Sequence, residues 1–305
     1  MEEIEPASDY SHFSDVFLNP YARNFYYACI IVIAIVSTAV NIFIIQAILR
    51  KRQLRTPINI FLLNVAVLDI YDVNVFLFDD VFALYIWKVL LKTYSCKIWH
   101  FQFSIGQFGL LLFLSSITAA LFVKKIRLKT AVVISVALYI VATALSFSYS
   151  QLFENVTLRN KIYSCFRNSE DKFDNFVFLF CETICHWLLI FVLLLSLLIH
   201  KKVRRSFFPR SDTNDMLLKM IAIELIFETP FKIAHYLKVF FNWYSNYDLI
   251  YYTPGFIFYF AFVYRPFLYV YYDKDFRREF QNLLHLTSSV VEFQGLENDD
   301  TEQNN

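Results

Sequence analysis

Long apolar stretches alternate with short charged ones along the whole chain. Cut at the charged or turn-rich stretches, seven segments reach the roughly 20 mainly apolar residues that a bilayer-crossing helix needs. They are Phe25–Leu49, Pro57–Phe78, Ile98–Val123, Thr130–Phe153, Asn175–Ile199, Met216–Phe240 and Leu249–Tyr272. Five are clean. The second and sixth carry several charges, as a soluble amphipathic helix would, yet each lies between clear spans. The pattern therefore predicts an all-α membrane protein, a seven-transmembrane-helix bundle over 25–272.

Composition agrees. Of 305 residues 57% are hydrophobic, 19% aromatic and only 18% charged, where a soluble domain carries about 25% charged. The net charge of +1 gives no reason to expect a nucleic-acid partner. With four glycines and no GxxxxGK[ST], GxGxxG, HExxH, GxSxG or CxxC, the chain offers no signature of nucleotide binding, zinc or hydrolysis. No enzyme, cofactor or metal is expected.

The distribution of charge sets an expected orientation. Cytoplasmic loops are enriched in Lys and Arg, and "RKRQLR" (Arg50–Arg55), "KKIRLK" (Lys124–Lys129), "HKKVRRSFFPR" (His200–Arg210) and the tail "DKDFRREF" are all basic. All four fall inside if the N-terminus is outside. Residues 1–24 then form an acidic extracellular segment, 273–286 a short amphipathic helix on the membrane surface, and 287–305 a disordered cytoplasmic tail. The start lacks the basic-then-apolar order of a signal peptide, so the first hydrophobic segment must do the targeting. The acceptor triplet Asn155-Val156-Thr157 lies in the loop between spans four and five, outside in this topology and open to glycosylation. Cys96 at the start of span three and Cys165 in that same loop lie where a disulfide is permitted. Cys29, Cys181 and Cys185 sit in spans and read as small buried hydrophobes.

These features together resemble the rhodopsin-like (class A) G-protein-coupled receptors over most of the chain. In span one "STAVNIFIIQAILR" resembles the family's small-residue-then-Asn motif, with Asn41 as polar anchor. In span two "TPINIFLLNVAVLDI" is the closest match, giving Asn64 and the intramembrane Asp69. Pro230 matches the kink proline of span six, and "RPFLY" matches the family's Asn-Pro-x-x-Tyr, with Pro266 and Tyr269 in register. The following "DKDFRREF" resembles the family's surface helix, with Phe276 and Phe280 expected to dip into lipid. The resemblance implies a plasma-membrane receptor for an extracellular ligand, a small polar molecule or peptide. Its expected transducer is a heterotrimeric G protein or another cytoplasmic protein, met by Leu121, Lys124, Lys125, Arg204 and Arg205.

The departures matter too. The family's Asp-Arg-Tyr triplet falls here on Ala120-Leu121-Phe122, without the arginine. Span six has Phe227-Glu228-Thr229-Pro230 in place of Cys-Trp-x-Pro, span five has no proline and span four no tryptophan. Among receptors with eroded signatures, the Phe- and Tyr-rich chain most resembles nematode serpentine chemoreceptors, with divergent herpesvirus-encoded receptors as the second likeness.

Charges inside spans normally face the bundle and pair, since each costs some 2.5–3.5 kcal/mol on insertion. Asp69 lies about 18 Å from the inner end of span two and Arg265 about 10 Å from that of span seven, at 1.5 Å per residue. An arginine can bridge that gap, so an Asp69–Arg265 pair is expected; the alternative is Arg265 snorkelling to the inner headgroups. On span six Glu224, Glu228 and Lys232 share one face, with His235 close by. They are either internal glue or, for Glu228, Lys232 and His235, part of an outward pocket that Gln102, Glu182 and His186 could join. The aromatic run Asn242–Tyr252 reads most simply as an interfacial belt.

Other membrane functions fit less well. A transporter usually shows internal repeats, and seven spans do not halve. Insect-type odorant channels are inverted relative to the loop charges, and an opsin needs a lysine in span seven, which has none. A decoy, scavenger or constitutively active receptor keeps the fold and fits the missing span-three arginine.

Overall fold

The structure, a computed structural model, describes residues 20–78, 96–123, 126–151, 153–158, 162–167, 187–188, 190–199, 212–241 and 247–282. The described helices are α1 (Pro20–Arg50), α2 (Pro57–Leu77), α3 (Cys96–Phe122), α4 (Leu128–Ser150), the short α5 (Ile190–Ile199), α6 (Asp212–Phe241), α7 (Tyr247–Tyr272) and α8 (274–282). Among the described residues, four helices are long and apolar enough to cross a membrane: Asn24–Arg50, Pro57–Leu77, His100–Phe122 and Leu128–Ser150. The protein is thus a predominantly helical membrane protein.

The fourth segment is shorter than its hydropathy suggested. It ends at Ser150, and Phe153, expected as its last residue, opens a strand. Strands β1 (Phe153–Leu158) and β2 (Ile162–Arg167) pair antiparallel, with Asn155 opposite Cys165, and both contact α3. Among the described residues the fold is therefore helical apart from this hairpin.

Local chemistry explains the helix boundaries. The Thr56 side chain caps α2 by accepting from the Asn59 amide at 3.2 Å, with Pro57 in the first helical position, where a missing N–H costs nothing. Asp273 caps α8 in the same way, accepting from the amides of Asp275 at 2.9 Å and Phe276 at 3.3 Å.

In the bundle α1 packs on α2 and α7, α2 on α3, α4 and α7, α3 on α4, and α6 on α7. α4 turns small residues inward, Ala131, Ser135, Ala142 and Ser146, and leaves Val133, Val136 and Ile140 exposed. Small residues let membrane helices approach closely, and an exposed apolar flank is stable when lipid is its solvent. α1 does likewise with Val32 and Ile35. α8 lies against the protein: Phe276 is in the core, Phe280 meets Phe43 at 5.3 Å between ring centroids, and Lys51 pairs with Glu279 at 3.1 Å. Phe276 thus faces protein, where lipid was expected, and the half-buried Phe280 rests on Phe43 of α1.

Two apolar clusters divide the bundle along its axis. One, towards the Arg50 end, includes Ile44, Phe61, Leu114, Met220 and Tyr269; the other includes Ile30, Val73, Phe76, Phe258 and Phe262. Between them, on every helix that contributes to both, the residues turn polar or small: Ser37 and Asn41 on α1, Asp69 and Asp72 on α2, Gly106 on α3, Glu224 and Glu228 on α6, Arg265 on α7.

Candidate functional site: a buried charged layer

Arg265 is wholly buried, and its guanidinium holds three helices together. Its Nε donates to Asp69 Oδ1 at 3.1 Å and Nη2 to the same oxygen at 2.5 Å, a two-pronged grip on α2. Nη1 donates to Glu224 Oε2 on α6. The Phe262 ring lies 5.1 Å from the guanidinium carbon, adding a cation–π contact one turn along α7. A planar fork of five donors suits such a junction, where an ammonium would act only as a point charge. In so dry a place the attraction offsets desolvation only because the geometry is two-pronged and a second carboxylate shares the cation.

The proline after Arg265 has its own role. α7 runs on through Pro266, which has no N–H, so the Phe262 carbonyl loses its helical donor. Ser37 of α1 supplies one, its hydroxyl donating to that carbonyl at 2.9 Å. The Arg-Pro dipeptide thus ties α7 to α2 and α6 by charge and to α1 by a freed carbonyl. Further polar bonds cross the bundle: Asn64 Nδ2 donates to Ser135 Oγ on α4 at 3.1 Å, Asn74 Nδ2 to Thr38 Oγ1 at 3.2 Å, and Tyr71 OH to the Gln102 carbonyl at 3.1 Å.

Asp72 and Glu228 complete the layer, 3% and 2% exposed. Gly106 is what admits Asp72: a Cβ there would lie 1.5 Å from Asp72 Oδ1. Three residues on, Gly109 lets α3 close on Leu68 in the same way, with Cδ1 2.8 Å from the position of a Cβ.

Tyr269, one turn beyond Arg265, is buried, its hydroxyl has no hydrogen-bond partner among the described residues, and it lies within electrostatic range of Asp69, Arg265 and Glu224. It also lines a cavity of about 610 Å³ at the Arg50 end, with Asn59, Leu62, Met216, Tyr272 and Phe276.

The structure brings Asn41, Asp69, Arg265, Pro266 and Tyr269 into one region and places Glu228 beside them. The expected Asp69–Arg265 pair is present, and Arg265 does not snorkel. Glu224, read from sequence as a ladder partner of Glu228, belongs to the arginine. Pro230 lies inside α6, Gln102 is half-buried on α3, and Leu121 is half-buried at the end of α3. Lys232 and His235 lie on α6, their side chains outside the described residues. Glu182, His186, Lys124, Lys125, Arg204 and Arg205 lie outside the described residues altogether, as do most of 1–24 and all of 287–305. Cys96 opens α3 and Cys165 lies in β2, with side chains outside the described set, and so does the Asn155 side chain in β1.

Sequence reasoning missed Ser37, Asp72 and Gly106. Asp72 was one turn from Asp69, and Gly106 with Gly109 made half of the chain's four glycines; both signals were available.

The class defined by these features is an integral membrane helical bundle with a charged layer buried at its middle. No protein-family model matches the chain, and no curated protein matches it.

Proposed function

We propose that the protein is a seven-helix receptor of the plasma membrane, N-terminus outside, that detects an extracellular ligand and signals to a cytoplasmic transducer, a heterotrimeric G protein or another. The observation that carries this reading is the buried layer, in which one cation joins α2, α6 and α7 midway along the bundle. A signal between two membrane faces needs an element with more than one packing that both ends can bias. A charge junction shared by three helices is such an element. Glu228, at the edge of the layer, is the point where a ligand held by Gln102, Glu182, His186, Lys232 and His235 would act. At the other end Tyr269 runs from the layer to the Arg50-end cavity, which faces the cytoplasm in this orientation, the side on which a transducer would meet Leu121, Lys124, Lys125, Arg204 and Arg205.

A second reading keeps the fold and removes the switching: a decoy, scavenger or constitutively active receptor. The full burial of Arg265 between two carboxylates favours it, and so does Leu121 at the place of the family's arginine. A channel or transporter gains no such support.

Basal and ligand-stimulated transducer coupling, measured in a heterologous cell over a panel of polar ligands and peptides, separates the readings. A ligand-dependent change that Glu228→Gln or Glu228→Lys abolishes, at unchanged surface level, supports the receptor. High basal coupling without any ligand response, or none of either, leaves the second reading standing.

A further inference from the structure

The charged layer has two tiers. On α2 Asp69 is followed three residues later by Asp72, and on α6 Glu224 is followed four residues later by Glu228. Each step is about one helical turn, roughly 4.5 and 6 Å along the axis at 1.5 Å per residue. Because α2 and α6 both start at the bundle end where Tyr272 of α7 lies, the two steps run in the same direction, away from the cavity that Met216, Tyr269 and Tyr272 line.

Only the lower tier is bound by the arginine. Asp69 and Glu224 hold the guanidinium. Among the described residues, no hydrogen bond or ion pair reaches the Asp72 carboxylate, although it is 3% exposed. It nevertheless lies in the same electrostatic neighbourhood as Arg265, Asp69, Glu224 and Glu228. A lone carboxylate at membrane depth is costly, and the helix opposite makes room for it with a glycine where any other residue would collide. A group held at such cost, beside a cation with a long flexible stem, is explained if the cation reaches it in another state.

We infer that Arg265 is a two-position clamp. In the position seen here Asp69 and Glu224 bind its guanidinium; in the second, one turn nearer Phe76, Asp72 and Glu228 bind it. Each tier offers one carboxylate from α2 and one from α6. Moving between tiers carries the cation away from Tyr269 while keeping it paired. The clamp rests on the geometry of the charged layer and does not require the receptor reading, so the two can fail separately.

The test is a double-mutant cycle on the full-length chain, purified into lipid nanodiscs and followed by thermal unfolding. Asp72→Asn alone should unfold at or above the wild-type temperature, since it removes a charge without a partner in the occupied position. Asp69→Asn should unfold several degrees lower, with Asp72 taking over the cation. Asp69→Asn with Asp72→Asn should then lose far more than the two single effects added, or yield no folded protein. The inference is overturned if Asp72→Asn lowers the unfolding temperature as Asp69→Asn does, or if the double variant equals the sum of the singles. It is overturned equally if Asp69→Asn alone does not fold, because Asp72 is then no substitute.

Discussion

Removing the guanidinium of Arg265 leaves Asp69 and Glu224 as uncompensated buried charges. Breaking a buried ion pair from one side costs about 3–5 kcal/mol, whereas replacing all its members by neutral groups is often close to neutral. Arg265→Asn, which restores the residue of the resembling family, should therefore sharply reduce surface delivery and thermal stability. Adding Asp69→Asn and Glu224→Gln should recover most of both, as read by surface immunolabelling and unfolding in detergent. An Arg265→Asn protein indistinguishable from wild type would mean that the cation does not hold these helices. Tyr269 behaves in the opposite way. Its hydroxyl is buried without a partner among the described residues, so Tyr269→Phe removes an unsatisfied group and should leave the unfolding temperature unchanged or raised. If the same variant loses transducer coupling, the hydroxyl finds its partner in a signalling state. Gly106→Ala should be the costlier of the two α3 glycine changes, by about 1–3 kcal/mol. Its methyl would lie 1.5 Å from the carboxylate of the shorter Asp72 side chain, while that of Gly109→Ala meets the movable end of Leu68 at 2.8 Å.

At the scale of elements, α8 shows what a hydrophobic pattern can and cannot say. Its amphipathic period was readable, but the period does not say whether the apolar side meets lipid or protein, and here Phe276 is 1% exposed inside the core. Phe276→Ala should thus cost about 3 kcal/mol, in line with other core phenylalanine truncations. A lipid-dipping residue would instead change membrane partitioning with little effect on unfolding, so unfolding temperature and vesicle co-sedimentation of an α8 peptide tell the two apart. The Asp69–Arg265 pair was readable because each charge alone is too costly at that depth. Glu224 was not assigned to it because Glu228 and Lys232 offered nearer partners along the same helix, and spacing on one helix carries no information about a cation on another. The hairpin was missed for a related reason: Phe153 continues the apolar run of α4, and nothing in hydropathy marks the change at Ser150, where side-chain bonds to the helix's own carbonyls, Ser146 to Ala142 and Ser150 to Phe147, close the last turns.

At the scale of the whole molecule, the proposed orientation rests on loop charge, and the hairpin supplies a probe of it. Asn155 lies in β1 between α4 and the segment leading to α5, so whichever side holds that hairpin holds the acceptor triplet. The basic segments Arg50–Arg55 and Lys124–Lys129 flank α2 and α3 at the opposite end, where lysine and arginine keep a loop in the cytoplasm. A glycan forms only on the lumenal side during synthesis, and it adds mass that a glycosidase removes. The wild-type chain expressed in a secretory cell should therefore run as a glycosidase-sensitive species, and Thr157→Ala or Asn155→Gln should abolish the shift without altering surface level. A new acceptor triplet placed in the Arg50–Arg55 segment should stay unmodified. Because α1 to α4 are the helices whose length and apolarity suffice to cross a membrane among the described residues, an even number of crossings separates the N-terminus from the hairpin, and an N-terminal epitope should label on intact cells. If the tag is reached only after permeabilisation while Asn155 is modified, one of these four helices does not cross. The receptor topology then falls, and the charged layer would need a function in a differently threaded bundle.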